Sequence, residues 1–121
     1  MDSLAETTAA IVAFRDERDW AQFHTPRNLA AALAIEAAEL QEAMLWKTDS
    51  EVTTQLSDAK GREQVVAELG DVLIFSLLLC KTIGIDPIPA IRDKLLVNAA
   101  KYPVHLAKGS AAKYTELHEG R

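Results

Sequence analysis

A chain of 121 residues, 49% of them apolar and 26% charged, has the size and balance of one soluble globular domain with a small core. Its net charge of −5 argues against a nucleic-acid polymer as partner, since such proteins present a basic face; a nucleotide held through a cation remains open. The single cysteine, Cys80, excludes an internal disulfide and, set in an apolar run, reads as a small hydrophobe.

The apolar run is too short for a membrane span, and no basic segment followed by an apolar one opens the chain, so no signal peptide is expected. The expectation is a cytoplasmic protein without a membrane partner.

A first helix is predicted from about Ser3 to Gln22. Ser3 followed by Glu6 fits a capping box. Leu4, Ile11, Phe14 and Ala21 recur at helical spacing, which turns Arg15, Asp16, Glu17 and Arg18 outward. Trp20 lies near its end, and Phe23 to Arg27 breaks the pattern, because proline disfavours helix in the residue before it. Asn28 is the expected N-cap of a second helix, from Leu29 to about Lys47, closed by Trp46. At about 100° per residue, Leu29, Leu33, Ala37, Leu40 and Met44 share one arc. Glu36 sits at the edge of that arc, Glu39 about 60° further round, and Glu42 beyond it towards solvent.

Thr48 to Lys60 is polar and mixed and reads as a loop, or a loop with a helical turn, with Ser57 or Asp58 as cap of a third helix from about Gly61 to Ile83. Val65, Leu69, Val72 and Leu79 form its core arc, with Glu68 and Asp71 on the flank. From Val72 to Cys80 no face carries a charge, and a helix apolar all round is buried all round. One small bundle has too few neighbours to cover it, so a homo-oligomer is expected. Gly84 is the expected C-cap, and Asp86-Pro87 a restart. The fourth helix reaches about Tyr102 before Pro103, with Lys94, Asn98 and Lys101 on one face. The tail from Val104 to Arg121 has no sustained period. The predicted fold is all-α, a bundle of four main helices, in a single domain with its core at about 3–103 and an irregular tail at 104–121.

Two helices with acids at i and i+3 can bring four carboxylates together: Glu36 and Glu39 from one, Glu68 and Asp71 from the other. One such pair on a helix is commonly a solvated face. Two pairs, both flanking the core, point to a cation site, and all-oxygen ligands favour Mg²⁺, Mn²⁺ or Ca²⁺. A di-iron bundle needs Glu-x-x-His pairs, which are absent here. Lys94, Asn98 and Lys101 are either a solvated face or a surface for phosphate oxygens. Trp20 and Trp46 are either packing residues or a stacking wall for a nucleobase. His24 is a loop or capping residue, or a ligand contact.

Glu36-x-x-Glu39 with Glu68-x-x-Asp71 resembles the signature of the MazG-like all-α nucleotide pyrophosphohydrolases. The segments Arg18-Asp19-Trp20, Gln22-Phe23-His24, Pro26-Arg27-Asn28-Leu29, Trp46-Lys47-Thr48-Asp49 and Asp71-Val72-Leu73-Ile74 resemble one branch of that family, the dCTP pyrophosphatases. So do Tyr102-Pro103-Val104-His105-Leu106 and Lys113-Tyr114-Thr115-Glu116-Leu117, and the likeness spans roughly residues 10 to 118. The resemblance implies hydrolysis of a nucleoside triphosphate, dCTP or a 5-modified dCTP first, to monophosphate and pyrophosphate. It implies Mg²⁺, with Mn²⁺ as substitute, on Glu36, Glu39, Glu68 and Asp71, with Glu36 or Glu39 as general base. It implies a substrate site of Trp20, His24, Trp46, Lys94, Asn98 and Tyr102, in a dimer or tetramer with sites built across subunits. Phe75 departs from the branch, which usually has tyrosine there. The alternatives are a dUTPase-like or other-base enzyme and a non-catalytic helical oligomerisation module.

Overall fold

The computed structural model describes residues 3–119. The elements are α1 (Leu4–Glu17), a short 3-10 turn (Ala21–Phe23), α2 (Pro26–Glu42), α3 (Asp49–Ser57), α4 (Ala59–Ile83), α5 (Pro87–Lys101), α6 (Val104–Ala107) and α7 (Tyr114–Glu119). No strand occurs among the described residues. The chain divides into two compact units, one running to Ile85 and the other starting at Asp86.

In the first unit the helix ends follow from short polar side chains that satisfy free backbone N–H groups. Ser3 Oγ accepts from the Glu6 amide at 3.0 Å and opens α1. That helix stops at Glu17, earlier than expected, because Asp19 takes a left-handed φ of 56° and turns the chain. The expected cap of α2 is displaced: Thr25 Oγ1, not Asn28, accepts from the Asn28 amide at 3.2 Å. Proline disfavours helix in the residue before it but is itself tolerated in the first turn, where its missing N–H would be unpaired anyway. Thr25 therefore stays extended, with ψ of 157°, while Pro26 fits the first helical turn. Asn28 instead donates from its side chain to the Phe23 carbonyl at 3.0 Å.

α2 ends at Glu42, so Trp46 does not close it; Trp46 follows in a turn, with φ of 65°. The stretch read as a loop contains α3, which is held by a reciprocal capping box. Thr48 Oγ1 accepts from the Glu51 amide at 3.1 Å, and the Thr48 amide donates to Glu51 Oε1 at 2.9 Å. The hydrogen bond from the Thr48 amide, then one with the Thr48 side chain, holds the Glu51 carboxyl below the usual carboxylate range, with a smaller contribution from Lys47. Thr48→Ala should destabilise the protein by about 1 kcal/mol, seen as a Tm lower by roughly 3–6 °C; an unchanged Tm would mean that α3 does not depend on its cap.

Asp58 caps α4 through the Gly61 amide at 3.0 Å, and Gly84, in the left-handed region at φ 75°, ends it. The main packing of this unit is α2 against α4, with α1 and α3 also on α4. Leu29 on α2 and Leu78 on α4 are buried, together with Ala43. Around them the apolar run of α4 is not covered on all sides: Leu73 is 55% exposed, and Leu69 and Ile74 are also exposed. The uniform burial expected of Val72 to Cys80 is therefore not met within one chain.

In the second unit, Asp86 Oδ1 accepts from the Ile88 amide at 2.9 Å and Pro87 occupies the first turn of α5. The tail is more ordered than its sequence suggests. Tyr114 packs edge-on against Tyr102 with centroids 6.1 Å apart. Lys101 Nζ lies 4.8 Å from the centre of the Tyr114 ring, a cation–π contact.

Candidate active site

The packing of α2 on α4 fixes where the acids go. Acids three residues apart on a helix share a face, and here those faces meet. One carboxylate oxygen from each of Glu36, Glu39 and Glu68 falls within 4.8 Å of the others. Asp71, one turn along α4 from Glu68, stands outside that trio, but its charge raises the proton affinity of both Glu36 and Glu68.

The electrostatics of such a cluster are unfavourable without a counter-charge. Burial first, then a side-chain hydrogen bond with Glu39, then the charges of Glu39, Asp71 and Glu68 push Glu36 up to about 7. Glu68 is raised as well, by burial and then by Glu39. Glu36 Oε2 and Glu68 Oε2 are buried and accept no hydrogen bond. Buried polar atoms are seldom left in that state. Convergent hard oxygens with unfilled acceptor capacity fit a divalent cation.

The cluster lies between two openings. Glu39 and Glu68 line a shallow recess with Glu42, Ala43 and Gln64. Glu36 and Asp71 line a cavity of about 490 Å³ whose walls are mainly apolar, a volume in the range of small-molecule sites. Ile11 and Phe14 from α1, Trp20, and Ile74, Phe75 and Leu78 from α4 make those walls. Trp20 meets Phe14 edge-on with centroids 5.7 Å apart. The reversal at Asp19 sets that ring, and the Trp20 amide donates back to the Arg15 carbonyl at 3.1 Å.

His24 also lines the cavity, 6.4 Å from the Phe75 ring centre, with Nδ1 buried and unpaired. Burial and then the Arg15 charge lower its pKa, so the ring is neutral at pH 7.

Of the residues singled out in the sequence, the structure brings Glu36, Asp71, Trp20 and His24 to one cavity and Glu39 and Glu68 to its border. Trp46 is not on that cavity; its side chain is 92% exposed. Lys94 and Asn98 lie on α5 and Tyr102 at its C-cap, in the second unit.

Arg15 was expected to face solvent, yet it lines the cavity with its side chain only 16% exposed. The signal was present: Arg15 follows Ile11 by four residues and therefore shares its helix face. Phe75 fills a wall of the cavity as well, without the hydroxyl of a tyrosine.

An all-α scaffold that converges carboxylates from two i, i+3 pairs beside an aromatic cavity narrows the class of protein. The profile of the MazG-like family matches residues 31–117. The chain belongs to the MazG-like family.

Among curated proteins it is similar to dCTP pyrophosphatase 1 of Rattus norvegicus, 46% identical over 107 residues, and to dCTP pyrophosphatase 1 of Homo sapiens, 45% identical over the same length. Each match covers 88% of this chain, and the chain spans 63% of the length of these relatives. Among solved structures it is similar to a pyrophosphatase from Archaeoglobus fulgidus DSM 4304, with a TM-score of 0.75 and 40% identity. That match covers 83% of this chain and 92% of the other.

Proposed function

We propose that this protein is a Mg²⁺-dependent nucleoside triphosphate pyrophosphohydrolase. Its substrate would be dCTP or a 5-modified dCTP, cleaved to the monophosphate and pyrophosphate as part of clearing the nucleotide pool. The observation that carries the reading is the convergence of Glu36, Glu39 and Glu68, with two orphaned buried oxygens, at the edge of an aromatic cavity. The names of the similar proteins supply the substrate.

Glu36, Glu39, Glu68 and Asp71 would hold Mg²⁺, with Mn²⁺ able to replace it. The bound cation supplies charge neutralisation for the triphosphate and acidifies a water. Glu36 or Glu39 takes the proton of the water that attacks the α-phosphorus. A nucleoside lying against the apolar walls would displace water from the cavity and strengthen the charge interactions beside it. Trp20 and His24 contact the nucleoside. Lys94, Asn98 and Tyr102 meet phosphates or sugar, which compensates the charge of the leaving pyrophosphate.

Uncovered Leu69, Leu73 and Ile74 on α4, together with Ile91, Leu95 and Leu96 on α5, support a homo-oligomer, a dimer or a dimer of dimers. Trp46, exposed on its own chain, then completes a site across the subunit boundary. A single MazG-like domain and a cytoplasmic place of work belong to the same proposal. No helix among the described residues is long and apolar enough to cross a membrane.

Phe75 leaves that wall without a hydroxyl, so sugar or phosphate contacts there fall to other groups. A dUTPase-like or other-base preference is the second reading, since one hydrogen bond to the base can decide between pyrimidines. The deciding experiment is a panel of canonical and 5-modified dNTPs and NTPs with Mg²⁺, scored for pyrophosphate against orthophosphate. Pyrophosphate release, fastest from dCTP or a 5-modified dCTP, is expected. Orthophosphate as first product would contradict cleavage at the α-phosphorus.

A further inference from the structure

We propose that Arg15 is a substrate-recognising residue, whose guanidinium donates hydrogen bonds to the acceptor atoms of the nucleobase on the side of the cavity formed by Trp20 and His24. This rests on the nucleotide reading above and adds to it the group that grips the base.

A surface arginine on a helix ordinarily extends into water. Arg15 instead lies along the cavity wall among Ile11, Phe14 and Trp20, and little of it is exposed. Its Nε donates to Asp16 Oδ1 at 2.9 Å, and that carboxylate is itself well exposed. Asp16 therefore anchors the inner nitrogen from the solvent side. The two terminal nitrogens carry no hydrogen bond to any other described residue. A guanidinium has five donors and no acceptor, so terminal nitrogens without a partner among the described residues are available to an acceptor on a ligand that enters the cavity.

The position argues for the base rather than the phosphates. Arg15 lines the cavity together with Trp20 and His24, and its charge acts on His24. The Arg15 carbonyl also holds the Trp20 amide, which fixes the guanidinium and the indole on one short segment. A planar base against Trp20 would present its edge to the Arg15 fork. Cytosine offers O2 and N3 as acceptors there, and a residue with donors alone cannot pair with the exocyclic amine. Arg15 thus holds the base, and His24, with its unpaired Nδ1, is the neighbour able to read a second atom.

The test compares wild type with Arg15→Met and Arg15→Lys, full chain, by calorimetry with dCMP without metal and with pyrophosphate in Mg²⁺, and by steady-state kinetics on dCTP. Losing a hydrogen bond from a charged donor should weaken dCMP binding by about 10- to 100-fold in the methionine variant. Mg²⁺–pyrophosphate affinity should stay within twofold, as about expected for a contact confined to the base. KM for dCTP should rise with kcat little changed, the pattern of a uniform binding contact.

Arg15→Lys keeps the stem and the charge but loses the planar fork. It should show a smaller loss of the same kind, and it carries the test if the methionine variant misfolds. Unchanged dCMP binding in either folded variant overturns the proposal, as does an equal loss of pyrophosphate binding, which would move Arg15 to the phosphates. Wild type that binds no dCMP overturns it too. Wild type that binds dCMP through Arg15 yet releases no pyrophosphate from any nucleotide supports the Arg15 contact while removing the proposed reaction.

Discussion

Glu36→Gln should lower Mg²⁺-dependent pyrophosphate release on the order of 10³-fold while raising the Tm of the metal-free protein. The two effects have one cause. Glutamine keeps the shape of the side chain but removes a negative charge from the centre of the carboxylate cluster. In the wild type that charge is disfavoured by burial, by Glu39, by Asp71 and by Glu68. Without metal, its removal relieves repulsion and desolvation. With metal, the same removal deletes an anionic oxygen where the triphosphate's cation would sit. A structural acid would behave otherwise: its loss would lower both stability and activity. The measurement is pyrophosphate release beside thermal unfolding in chelator, and full turnover by the variant would remove Glu36 from the metal assignment.

Chelated wild type should become less stable, by roughly 5 °C in Tm, as pH rises from 5 to 8, relative to Glu36→Gln. The direction follows from linkage. The Glu36 carboxyl has its folded pKa raised from 4.5 to about 7. Between those values the folded state binds more protons than the unfolded chain, so stability falls with rising pH until the folded pKa is passed. Glu68, also raised, adds the same sign. His24 opposes: its lowered folded pKa makes the unfolded chain the better proton acceptor as pH drops through the histidine range, so its contribution grows with pH. Comparison with Glu36→Gln cancels the His24 background to first order, whereas Glu68, whose charge acts on Glu36, is itself relieved in the variant.

Metal should reverse the trend, because carboxylate ligands bind only when deprotonated. The Tm increment from Mg²⁺ is expected to be small at pH 5 and largest near pH 8. An increment independent of pH would mean that the cation binds away from Glu36.

Particular residues show what the sequence made visible. The acid pairs could be placed because helical period alone puts Glu36 and Glu39, or Glu68 and Asp71, on one face, and their neighbours Leu40 and Leu69 mark that face as near the core. Gly84 and Asp86-Pro87 were equally legible, since backbone geometry restricts what can stand at a helix end and restart. For α3 the sequence suggests no more than a helical turn in a loop, although Thr48 and Glu51 stand at capping-box spacing; it is a nine-residue, mostly polar helix that buries no residue, so composition hid it. Arg15 was misplaced because charge was allowed to outrank position. A long side chain on the Ile11 face can lie along an apolar wall with its stem buried. The side-to-side relation of α1 to α4, which makes the cavity, is a long-range property that no local period encodes.

Asp19 offers a last consequence. The reversal there places Trp20 and His24 on a short peptide outside every long helix, while the carboxylates stay on α2 and α4. Change in the residues around Trp20 can therefore accumulate without moving an acid, and change at the acids is constrained by the helix-on-helix contact. If the proposed function holds, one base could be exchanged for another through Trp20 or His24 while the acids keep their places.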